Sequence, residues 1–226
     1  VIVGRIGDDP SDNSTTRGKS MFKSLGSMTD ALLAKLIRSG GVDFRRHAPR
    51  FRFDCVHIHH GEVIDEFYAE NLVTIEGGKD LLTQYFKGSA YTAANYLGLI
   101  SGASYTSGPT SADTAANLSG VGNSWAECSA TYAPNYSTPS GTNRGALSGN
   151  WGTPTTADPV VLARTGTVDF TFSGTGTVKG AFIAGGATRL STTAPLYSAA
   201  LFSGDKTISS VGDQLLVTVS VSIDVG

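Results

Sequence analysis

Residues 214–225, QLLVTVSVSIDV, decide the fold. Leu215, Val217, Val219, Val221, Ile223 and Val225 take every second position, while Thr218, Ser220 and Ser222 fall on the other side. That two-residue period is the mark of an antiparallel strand with one buried face. Gly212 and Asp213, immediately upstream, supply the turn that leads into it.

Working outward from this strand, short apolar runs separated by Gly-rich breaks predict further strands at 196–202, 178–184, 168–172, 160–164 and 95–100. Several short strands with tight turns point to a mainly β chain, an antiparallel β-sandwich of jelly-roll-like kind. Residues 50–74, RFRFDCVHIHHGEVIDEFYAENLVT, read as two strands around a turn at His60 and Gly61, a hairpin over about 50–75. The stretch EGGKDLLTQYFKG that follows predicts a short amphipathic helix over 78–87, closed by Gly88, with Leu82 and Phe86 as its core face and Leu81 and Tyr85 flanking. Residues 101–158 are rich in Gly, Ser, Thr and Pro and nearly free of charge. They are too long for an ordinary connection and are expected to form loops lying on the sandwich or against neighbours.

The first 41 residues have a different character. Residues 1–20 are too polar to offset the entropy of ordering themselves and predict an extended arm. Ser27 and Asp30 resemble a weak capping box, and Met28, Leu32, Leu33, Leu36 and Ile37 recur at helical spacing until Gly40 and Gly41. The expectation is an anchoring helix over about 28–39 within 21–41, with the β domain running from 42 to 226. Charge follows this division, since residues 1–88 hold 12 of the 17 Lys and Arg and 12 of the 19 Asp and Glu.

Composition excludes several functions. A net charge of -2 gives no electrostatic reason for nucleic acid as the main partner. No run of about 18 apolar residues occurs, and the N-terminal residues lack the basic and apolar regions of a signal peptide, so a soluble chain without membrane partners is expected. Cys55 and Cys128 lie far apart in unlike segments and predict two buried thiols without a disulfide.

Candidate chemistry is sparse. His57, His59 and His60, with Cys55 nearby, contain possible metal ligands, but no second ligand pair completes a site, so neither metal nor cofactor is expected. Asp65, Glu66 and Glu70 offer carboxylates without the asymmetry that acid–base catalysis needs, and no nucleophile elbow or phosphate loop is present, so the chain is not expected to be an enzyme. Interface candidates are Leu32, Leu33, Leu36 and Ile37 on the first helix and the basic residues Arg45, Arg46, Arg50 and Arg52. Tyr132, Tyr136 and Trp151, in the long polar segment, are candidate loop contacts, for instance to a host-surface glycan.

The strings ENLVTIEGGKDLLTQYFKG, YTAANYLGLIS, SADTAAN, WAECSATY, VKGAFIAGG and LYSAALFSGDKTISSVGDQLLVTVSV, spread over roughly 50–226, resemble a family of structural proteins from tailed-phage genomes. The resemblance rests on Asn71 to Thr74, Tyr96 to Ile100, Ala112 to Thr114, Trp125 with Glu127 and Tyr132, and Gly212 to Thr218. It implies a virion protein, a capsid decoration or minor capsid protein in the first place and a tail-associated adaptor or receptor-binding module in the second. Its implied partners are the major capsid protein or tail proteins, together with further copies of the chain as a homo-oligomer or on a lattice. The motifs mark architecture, with Trp125 suited to filling one end of the sandwich, and carry no catalytic residue.

Overall fold

The computed structural model describes residues 49–88 and 96–225. The expected arm over 1–20, the helix over 28–39 and the interface candidates Leu32, Leu33, Leu36, Ile37, Arg45 and Arg46 lie outside the described residues. Within them the chain runs β1 (Arg50–His59), β2 (Glu62–Leu72), α1 (Ile75–Lys87), β3 (Tyr96–Ser101), β4 (Tyr136–Thr138), β5 (Gly145–Ala146), β6 (Val160–Ala163), β7 (Val168–Phe172), β8 (Gly176–Ala184), β9 (Leu196–Ile208) and β10 (Gln214–Ile223). A 3₁₀ turn occupies Ala115–Ser119. No helix among the described residues is long and apolar enough to cross a membrane.

Among the described residues the chain is mainly β, with two antiparallel sheets and one α-helix. The alternating C-terminal strand β10 sits at the centre of the first sheet, in the order β2-β1-β10-β7-β4. β1 pairs with one edge of β10, from Arg50 opposite Ser222 to Ile58 opposite Gln214. The other edge is shared in succession by β7, opposite 214–217, and β6, opposite 220–223. The second sheet has the order β5-β3-β8-β9.

The inner faces of both sheets share one core. Phe51, Phe53 and Cys55 of β1, Phe170 and Phe172 of β7, and Leu215, Val217 and Val219 of β10 meet Leu97, Leu99, Val178 and Ile183 of the second sheet. Burial follows the predicted alternation through Val219 and then fades, leaving Ile223 and Val225 exposed, so β10 ends two residues earlier than the pattern suggested. Along one side β2 of the first sheet lies beside β9 of the second. There Phe67 and Phe202 meet edge to face at 4.8 Å, Asn71 Nδ2 donates to Ser198 Oγ at 2.8 Å, and Lys206 pairs with Asp65 at 2.7 Å.

The hairpin turn falls at His60 and Gly61, both at positive φ (50° and 85°), the geometry a two-residue turn needs to match strand twist. The helix differs from expectation on two counts. It begins three residues earlier, at Ile75, because Thr74 caps it by accepting from the Gly77 amide at 3.0 Å. Its packed side carries Gly77 and Leu81, whereas Leu82 and Phe86, expected as the core face, are 61% and 84% exposed.

The long segment after β3 is also more deeply used than expected. Leu118, Trp125 and Ala115 cover the outer face of the second sheet, where Ile100, Phe182, Ala184, Leu196 and Ala199 form a second, smaller core. Trp125 therefore fills a layer outside the second sheet, with its indole N–H donating to Asp113 at 2.6 Å. Further on, the segment supplies the edge strands β4 and β5.

Candidate functional site

The outer faces of the two sheets differ. That of the second sheet is roofed by the Trp125 layer, while that of the first, on β2, β1 and β10, presents polar and aromatic side chains to solvent. Because β1 buries Phe51, Phe53 and Cys55, strand alternation turns Arg52, Asp54 and Val56 outward. Strand register then sets Arg52 opposite Glu70 and Ser220, Asp54 opposite Tyr68 and Thr218, and Val56 opposite Glu66 and Leu216.

Arg52 organises this face. Its guanidinium bonds Asp54 at 2.8 Å and Glu70 at 3.3 Å and lies over the Tyr68 ring at 4.1 Å from the centroid. The hydrogen bond to Asp54, with Glu70 adding to it, raises the Arg52 pKa above its ordinary value. The groups are about half exposed, so each pair adds little to stability, and together they place the Arg52 guanidinium against the Tyr68 ring. Beside Tyr68 the surface dips into a hollow of about 300 Å³, whose lining includes Asp54, Val56, Glu66, Thr167, Leu216 and Thr218.

Of the expected interface residues within the described range, Arg50 is exposed at the start of β1 and Arg52 belongs to this face. The expected loop contacts come out differently. Tyr136 is fully buried, its ring covered by the Arg189 guanidinium at 3.8 Å and its hydroxyl without a hydrogen-bond partner among the described residues. Burial raises its pKa well above the ordinary tyrosine value, and it cannot serve as a surface contact. Trp151 is half buried and packs on the core, forming a bridge with Arg164, and Tyr132 closes over Gly120.

The histidines separate as well. His57 is buried, its Nε2 has no hydrogen-bond partner among the described residues, and burial lowers its pKa. His59 Nδ1 lies 2.8 Å from Asp213, which also accepts the amides of Ser209 and Ser210, and His60 stacks on His59. Burial pushes the Asp213 carboxyl up, but the Ser210 amide, His59 and the Ser209 amide outweigh it and hold the carboxyl below its usual range. No group of three or more His, Cys, Asp or Glu able to hold a metal occurs among the described residues. Asp65 and Glu70 are taken up in pairs with Lys206 and Arg52. Both cysteines are free and buried, and desolvation raises their thiol pKa values.

Two features escaped the sequence reading. One is Tyr68, which alternation within the hairpin could have placed outside, opposite Asp54 and diagonal to Arg52. The other is a fully buried ion pair: Arg144 grips Glu127 through two bonds of 2.9 and 2.8 Å, while Glu127 also accepts the Leu190 amide and Arg144 donates to the Gly186 carbonyl. Burial pushes the Glu127 carboxyl up against the opposing pull of Arg144. The pair ties the segment after Trp125 to the loop between β8 and β9. Compared with known protein families, curated proteins and solved structures, the chain matches none.

Proposed function

We propose that the two sheets form a β-sandwich of jelly-roll-like kind and that the chain is a structural component of a tailed-phage virion, a capsid decoration or minor capsid protein. The sandwich is supported by the core the two sheets share, and the jelly-roll-like reading by β1 lying beside β10, the first and last strands among the described residues, as in a Greek key. The particle role is carried by one observation: the residues behind the phage-family resemblance occupy positions that determine the fold. Thr74 caps α1, Thr114 forms the capping box of the 3₁₀ turn, Asp113 holds the Trp125 indole, Glu127 grips Arg144, and Asp213 ties the turn before β10. Motifs of this kind specify a rigid block, which reinforces a particle through the area it buries on its neighbours.

The test uses a phage that carries this gene. Deleting the gene should yield particles that lose DNA at a lower temperature, and adding back the purified chain should restore the wild-type value. Unchanged particle resistance, with no rebinding, would remove the decoration role. The tail-side adaptor is the second reading, favoured by the open outer face with its exposed Tyr68. Densitometry against the major capsid protein separates the two, since hundreds of copies per particle mean the capsid lattice and a dozen or fewer mean the tail or a vertex.

A further inference from the structure

We infer that the hollow on the outer face of the first sheet binds a neutral saccharide. Its volume, about 300 Å³, lies at the lower end of small-ligand sites. Its lining combines what a sugar ring requires. The C–H faces of a pyranose are apolar, and here the Tyr68 ring, 54% exposed, stands beside a floor of Val56 and Leu216. The ring's hydroxyls need acceptors and donors around that floor, and Asp54, Glu66, Thr218 and Thr167 supply them.

Two further features sharpen the inference. Arg52, lying over Tyr68 and anchored by Asp54 and Glu70, fixes the aromatic platform before any ligand arrives, which reduces the ordering cost of binding. Charge then selects among sugars. Among the described residues the lining holds two carboxylates and no cation, and the neighbouring guanidinium is engaged by Asp54 and Glu70. A uronate or sialic acid would meet like charge, so neutral hexoses are preferred. A sugar is chemistry that a host surface offers, so the site bears on the tail-side reading, yet sugar binding by the isolated chain holds or fails whatever the chain's place on a particle.

The purified full chain, labelled at Val and Leu methyl groups, is titrated separately with mannotetraose, cellotetraose, maltotetraose and trigalacturonate and followed by NMR. At least one neutral probe is expected to shift the Val56 and Leu216 methyl signals, with trigalacturonate binding at least about tenfold more weakly. Tyr68→Ala should weaken the neutral probe by about tenfold or more, Tyr68→Phe by no more than about threefold, and Tyr132→Ala not at all. The methyl map uses the unmodified chain, so a misfolded variant does not obscure it. Silence of these methyls with every neutral probe, shifts confined to another face, a preference for trigalacturonate, or full binding by a folded Tyr68→Ala would each overturn the inference. Sugar binding by a chain missing from virions would leave this inference standing and remove the particle role alone.

Discussion

Glu127 and Arg144 are seventeen residues apart in sequence, with side chains wholly removed from water. No local pattern announces such a pair, because the attraction that justifies two buried charges arises only when distant loops have already met. Breaking it should be costly: Arg144→Met or Glu127→Gln is expected to lose about 3–5 kcal/mol, since each strands a buried partner. The double variant should lose less than either single change, since the glutamine introduced by Glu127→Gln can still accept the Leu190 amide, while the Gly186 carbonyl loses its donor. Urea denaturation at pH 7 measures all three. His57 makes a second prediction. Burial lowers its pKa more than Asp213 and Asp65 raise it, so in the folded chain it stays neutral below about pH 6.5, where the unfolded chain already takes up a proton. Stability is therefore complete above that pH and declines as pH falls toward the folded-state value. His57→Phe removes this slope and the unpartnered Nε2, so its melting temperature should exceed that of wild type by a margin that widens from pH 7.5 to pH 5.

The helix shows where pattern reading succeeded and where it failed. Periodicity found α1, and Gly88 marked its end, in the left-handed conformation at φ 67°. The side that packs was misjudged because Ile75, Leu82 and Phe86 make the more apolar stripe, whereas close approach to β9 is possible only along the small Gly77. A Cβ there would lie 2.6 Å from the Tyr197 backbone, while at Gly78 it would meet nothing within 4 Å. Gly77→Ala should therefore destabilise the chain despite alanine's helix propensity, and Gly78→Ala should stabilise it by up to about 1 kcal/mol. Thermal melts of the pair test the assignment, and equal shifts would refute it. The hairpin was easier to read, because strict alternation on β1 and a His-Gly turn both state their geometry locally.

For the whole molecule, β10 was legible because a two-residue period needs no knowledge of partners, and all nine of its pairings with β1 join an inward residue to an inward one or an outward residue to an outward one. The layer over the second sheet was not legible. Its Gly- and Ser-rich composition looks like surface loop, and only long-range contact reveals that Trp125 and Leu118 cap Phe182, with Gly98 leaving room for that ring. Tyr136 was misplaced for the same reason, since a polar-looking neighbourhood concealed the Arg189 that covers it. The resulting block has two sheets, a roofed second sheet and an open face on the first, a division suited to bearing neighbours and presenting a surface. The most direct measurement is quantitative mass spectrometry of gradient-purified, salt-washed virions from a phage carrying this gene. The account predicts that peptides of this chain follow the major capsid protein through the gradient at a fixed ratio, and their confinement to the soluble lysate would contradict it.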